Sequence, residues 1–361
     1  MKKLLIALMV VALPLASQAK KTDKDAALAN KVAQWQIDNF GKELKRPRHD
    51  MDWTNGALYR GMLMWGEYSG YKPCEDFVMA LGEKNSWGLP PREYHADDIC
   101  AGHSYIELYK KYGKPEMIAK VKERADHVKA NPSPAPMHIK APNGKDRWSW
   151  CDALFMAPPV YALLAQVTGD KSYLDFMNEE FYACMVALYD AEHRLWFRDG
   201  TYVKKHEANG EPVFWGRGNG WVFAALPMLL ETVPETDLCY PFYLKMFKDM
   251  ATAVVKCQDS HGSWHASMLD PEAYPVPENS ASGFFVYGLA WGVNNGILTD
   301  AVYKKAAKSG WKALKSHVNA DGRLGYVQPI GASPKAVSPE STEVYGVGAF
   351  LCAATEMSRM K

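Results

Sequence analysis

The chain has 361 residues, 48% hydrophobic and 23% charged, with 42 Lys plus Arg against 41 Asp plus Glu. These proportions are those of a folded globular protein and exclude a disordered or collagen-like chain. A formal net charge of +1 argues against a nucleic-acid binder, whose affinity rests on many uncompensated cations. The excess lies in flat rings, 12 Trp, 19 Tyr and 13 Phe, which serve a core or a cleft that stacks on sugars.

Read from the start, Lys2 and Lys3 precede an apolar run over 4–15, and Ser17-Gln18-Ala19 has the small-x-small form of a cleavage site. Residues 1–19 therefore read as a secretory signal peptide. The chain from residue 20 is expected to be exported from a bacterial cell, into the periplasm or beyond, with no membrane-spanning segment. Seven Cys, an odd number without a C-x-x-C, indicate neither a disulfide framework nor a zinc ribbon.

From residue 20 onward helical periodicity dominates and no sustained strand alternation appears. Twelve helical segments are predicted, over 27–44, 55–69, 74–84, 97–112, 115–130, 150–168, 171–189, 217–232, 237–258, 280–298, 300–318 and 342–357. Short Gly or Pro turns, such as those at Gly70, Gly113 and Gly169, alternate with long loops. Six hairpins repeated in this way predict an all-α toroid, an (α/α)6 barrel forming one domain over 20–361. An open solenoid would have more even loops.

The polar and aromatic clusters fall where even-numbered helices begin, so a toroid gathers them at one rim. Trp53 opens the second helix, and Asp97 and Asp98 the fourth. Asp152 opens the sixth, and Trp215, Arg217 and Trp221 the eighth. Asp97 and Asp98, taken alone, read first as helix caps, and Trp53 also reads as core. Asp152 lies among Trp148, Trp150, Leu154, Phe155 and Met156. A carboxylate in such surroundings must be paired or must titrate high, which points to catalysis. Arg217, flanked by Gly and Trp, suits a clamp for a sugar acid. There is no H-E-x-x-H, no G-x-S-x-G elbow and no phosphate loop, so neither metal nor cofactor is expected.

Trp150-Cys151-Asp152-Ala153-Leu154-Phe155-Met156-Ala157 and Phe214-Trp215-Gly216-Arg217-Gly218-Asn219-Gly220-Trp221 resemble the signatures of glycoside hydrolase family 105, the unsaturated rhamnogalacturonyl hydrolases, related to the glucuronyl hydrolases of family 88. The resemblance implies an (α/α)6 barrel, Asp152 as catalytic acid and base, and Asp97 as the second pocket carboxylate. It also implies sugar contacts from Trp215, Arg217 and Trp221. Trp53, Asp98 and Arg198 are added as candidate substrate contacts. Where some members carry His, this chain has Arg198-Asp199, and Lys145 or Arg147 would stand for a Lys upstream of the catalytic Asp. The implied reaction is hydration of a 4,5-unsaturated uronic acid on lyase-generated, pectin-type oligosaccharides. A glycosidase acting on a saturated linkage and a non-catalytic glycan binder are the competing readings.

Overall fold

The computed structural model describes residues 23–42 and 48–360; the expected signal peptide and the end of the first expected helix lie outside them. The described helices pair along the chain as an outer and then an inner member. The first three pairs are α1 (Lys24–Asn39) with α2 (Trp53–Ser69), α3 (Lys72–Lys84) with α4 (Gly102–Tyr112), and α5 (Glu116–Ala130) with the short α6 (Ala153–Met156) and α7 (Pro158–Thr168). The others are α8 (Ser172–Leu188) with α9 (Gly216–Thr232), α10 (Tyr240–Lys256) with α11 (Asn279–Asn294), and α12 (Ala301–Ser316) with α13 (Val344–Arg359). The inner members pack in the order α2, α4, α7, α9, α11, α13 and back onto α2. That is the closed six-hairpin barrel expected from the loop alternation.

Burial separates the two rings. From Gly216 to Leu230 every residue of α9 is buried, as is every residue of α11 from Asn279 to Gly292. Helices apolar all round must lie inside. By contrast α12 buries Ala306, Ala307, Gly310, Trp311, Ala313 and Leu314 and leaves Lys305, Lys308 and Lys312 exposed. The seam between α2 and α13 is closest. A Cβ added at Gly61 would stand 2.3 Å from the Gly348 carbonyl oxygen, and one at Gly348 would stand 2.3 Å from that of Ala57. Only glycine at both positions allows that approach.

The short turns end α2, α4 and α7 at Gly70, Gly113 and Gly169, with φ of 72°, 67° and 74°. This left-handed cap favours glycine. Inner helices therefore finish at one end of the barrel, and the long loops lead into their N-termini at the other.

Two expected helices are broken. Over 150–168, Pro158 and Pro159 lack the N–H that would continue a helix from below, so α6 and α7 are separate. Over 97–112, a 3-10 turn at Ala96–Ile99 precedes α4. The loop after α8 also holds a strand pair, β1 (Tyr189–Asp190) with β2 (Leu195–Trp196), too short to show alternation in sequence. None of the seven cysteines is disulfide-bonded. Among the described residues no helix is long and apolar enough to cross a membrane.

Candidate active site

Asp152 stands at the start of α6, 8% exposed. Its backbone is held from the neighbouring loop: the Cys151 N–H donates to the Arg198 carbonyl at 2.8 Å, and Trp150 pairs with Asp199. Burial raises the Asp152 carboxyl above its ordinary range, and the charges of Arg198 and Arg217 pull it partly back. The Cys151 thiol donates to Oδ2 of Asp152 at 3.6 Å. Nε of Arg198 lies 3.6 Å from the same oxygen, and Nη1 of Arg198 donates to Asp199 at 2.6 Å.

Asp97 lies in the 3-10 turn beside this group. Burial pushes its carboxyl up to about 7, helped by the charge of Asp152 and opposed by Arg92. An ionised Asp97 would by itself hold the proton on Asp152. The charges reverse the emphasis: Arg198 and Arg217 both lower the Asp152 carboxyl, whereas Arg92 is the cation that lowers Asp97. His95 supports the turn: its Nδ1 accepts from the Asp97 N–H at 3.3 Å, and its ring lies 4.9 Å from that of Trp150. Burial lowers the imidazole to about 4, so it is neutral at ordinary pH. The sequence reading gave His95 no role, although it stands two residues before Asp97.

The expected substrate contacts divide by exposure. Trp53 is half-buried, stacked on Tyr345 and edge-on to Trp221. Arg198 keeps 19% of its side chain exposed, and its Nε has no hydrogen-bond partner. These two keep side-chain surface that a substrate can reach. The other four do not, and each has a physical reason.

Asp98 is 2% exposed and faces away from Asp97. It accepts from the Arg92 N–H at 2.9 Å and from the Arg92 guanidinium. Trp221 has no exposed surface; it lies in the core against Phe155 and Phe284. Trp215 is 1% exposed, and its Nε1 donates to Oε1 of Gln328 at 2.9 Å. Both rings thus lie under the cleft and offer no face to a sugar.

Arg217 is fully buried. It donates to the carbonyls of Gln328 and Pro329 at 2.6 and 3.0 Å and lies over the rings of Trp215 and Tyr345. Among the described residues no carboxylate pairs with it. It acts from behind the cleft as an uncompensated positive charge and does not present a fork to the substrate. Of the two candidates for an upstream basic residue, Arg147 is committed to Glu180 at 2.7 Å, and Lys145 is exposed.

The site is therefore two carboxyls of raised proton affinity, one accessible guanidinium and one half-exposed indole at the N-terminal rim of the inner ring. Comparison with known proteins shows the family. The family model described as Glycosyl Hydrolase Family 88 matches residues 28–361. The chain is 39% identical over 350 residues to an Alteromonas protein named unsaturated 3S-rhamnoglycuronyl hydrolase, covering 91% of this chain and 84% of that one. It is 38% identical over 325 residues to a protein of the same name from Formosa agariphila, covering 86% and 85%. A solved glycosyl hydrolase family 88 structure from Bacteroides vulgatus matches with a TM-score of 0.84 at 28% identity, covering 93% of this chain and 98% of that one. The chain belongs to glycosyl hydrolase family 88, related to the family its two central motifs resemble, and is a glycoside hydrolase.

Proposed function

We propose that this enzyme releases a 4,5-unsaturated uronic acid from oligosaccharides left by a polysaccharide lyase, by hydrating the ring double bond. The observation that carries the reading is the pairing of Asp97 and Asp152, two buried carboxyls both raised in proton affinity, beside the accessible Arg198. The relatives' name supports a uronyl group joined to rhamnose, and pectin-type oligosaccharides are the expected source.

In this reaction Asp152 gives its proton to C4 of the enol ether, and positive charge develops at C5 and the ring oxygen. Water adds to C5 while the Asp152 carboxylate takes its proton, so the same group serves as acid and then base. The C5 hemiketal opens to a ketone, the former ring oxygen leaves C1 a hemiacetal, and that centre expels the neighbouring saccharide. Arg198 takes the substrate carboxylate. Once its charge is matched there, it lowers the Asp152 carboxyl less, and the proton moves onto the residue that must donate it.

The test is ultraviolet absorbance of the conjugated acid during incubation with lyase-cut rhamnogalacturonan and with a lyase-cut rhamnose–glucuronic acid polysaccharide. Hydration destroys the chromophore, whereas hydrolysis of a saturated linkage or simple binding leaves it. Asp152→Asn should remove two to four orders of magnitude in kcat, roughly the worth of general acid–base help, with the melting temperature retained. A variant keeping about a tenth of wild-type kcat or more overturns the assignment. We also propose export, supported by the basic, apolar and small-x-small order of residues 1–19. An inactive precursor-sized product confined to the cytoplasm would refute it.

A further inference from the structure

Asp199 is a carboxylate only 2% exposed, and no step above uses it. Its two oxygens have separate partners. Oδ1 accepts from the N–H and the hydroxyl of Thr201 at 2.8 and 2.6 Å, which fixes the side chain on its own loop. Oδ2 accepts from Nη1 of Arg198 at 2.6 Å. Arg198 is thus shared unequally between two anions, because its Nε stands 3.6 Å from Asp152, beyond hydrogen-bond length.

Main-chain bonds fix the backbones of both carboxylates. The Cys151 N–H holds the Arg198 carbonyl, and Trp150 pairs with Asp199. The part left to move is the guanidinium. Without a second anion it would close on Asp152 as a charge-assisted pair, and an acid in such a pair stays ionised. We propose that Asp199 is a positioning residue that holds the Arg198 guanidinium short of Asp152, so that Asp152 can carry the proton its reaction needs. This rests on Asp152 being the acid.

The other charged or titratable groups facing Asp152 are Arg217 at the start of α9, Asp97 in the 3-10 turn, and the thiols of Cys151 and Cys184. Of the two cations, Arg198 alone is paired with a second carboxylate among the described residues. It is the one whose distance from Asp152 a neighbouring anion sets.

The experiment is the pH dependence of kcat/KM for the wild type, Asp199→Asn, Arg198→Gln and the double variant, on lyase-made oligosaccharide. In Asp199→Asn, Oδ1 still accepts from Thr201, while an NH2 now faces the Arg198 donors. The fold contacts stay and the tether goes. The basic limb should then move to lower pH by about one unit, the low end for a newly close opposite charge. Asp199→Glu, which still reaches Arg198, should restore it. Arg198→Gln alone should move the limb the other way, and adding Asp199→Asn to it should move nothing further. An unmoved limb in Asp199→Asn, or the same shift with Arg198 absent, overturns the proposal and leaves Asp199 a purely structural acid. Failure of the underlying reading is seen separately, as activity retained by Asp152→Asn with Asp199 untouched.

Discussion

The rings of Trp53 and Tyr345 stack at 5.6 Å with their planes 16° apart, which joins the first turn of α2 to the first turn of its neighbour α13. Tyr345 is fully buried, and its hydroxyl donates to the Gln328 carbonyl at 2.5 Å. Trp53 is therefore set on a rigid base and keeps part of its surface exposed. Trp53→Ala should raise KM by roughly fivefold, about 1 kcal/mol for a lost aromatic face, with little change in melting temperature. Trp221→Ala should do the reverse and cost about 3–5 kcal/mol of stability, as for other buried aromatics. Paired KM and denaturant measurements separate the two; equal KM effects would return Trp221 to the cleft.

The substrate's carboxylate discriminates between the two arginines. For Arg198→Lys, KM should rise by the equivalent of about 1.5–3 kcal/mol, the range for a hydrogen bond to a charged group, because Lys lacks the planar fork. Reducing the carboxylate to an alcohol should cost the wild type heavily and Arg198→Ala little. Arg217→Ala should lose activity by about the same factor on both substrates, since Arg217 is spent on Gln328 and Pro329. A carboxylate-dependent loss at Arg217 would reverse that ranking.

Asp97 carries a stability consequence with a definite sign. Its folded carboxyl titrates at about 7 against an ordinary 3.8, so the folded state favours the protonated form. Stability attributable to it is complete below about pH 4 and is lost as pH rises through 7. At 1.36 kcal/mol per unit, the ceiling is about 4 kcal/mol, and sharing of the proton with Asp152 brings the expectation to about 2. Asp97→Asn should match the wild type near pH 4 and be more stable at pH 8. Melting curves across that window test it; a variant less stable at pH 8 would show that ionised Asp97 is well paired.

Gly61→Ala places a methyl 2.3 Å from the Gly348 oxygen, a backbone atom that cannot rotate away. It should cost about 3 kcal/mol, the upper part of the usual range for overpacking, while Gly70→Ala, with open space around it, should cost only the strain of its left-handed φ. Chemical denaturation of both variants gives the comparison.

The barrel was legible because its punctuation is chemical. Gly70, Gly113 and Gly169 stop helices for a local reason, and the inner helices α9 and α11 are buried almost throughout. The burial of Asp152 was legible from its apolar neighbours. Which aromatic side chains reach the cleft was not, since a Trp beside glycine says nothing about where its ring falls. Asp97 and Asp98 are adjacent, yet the 3-10 turn sends one to the cleft and the other to Arg92. Arg217 looked free in sequence because the carbonyls that occupy it lie 111 and 112 residues later.

The α2–α13 seam also sets an order of events. Its two glycines, Gly61 and Gly348, lie at opposite ends of the chain, so the ring stays open until the last helix has been synthesised. Until then α2 presents a groove shaped for a helix that does not yet exist. Closing a loop of that length late makes assembly slow, and an interrupted chain would expose apolar surface to its neighbours. The contact that makes the finished barrel tight is the one that leaves its precursor most in need of protection.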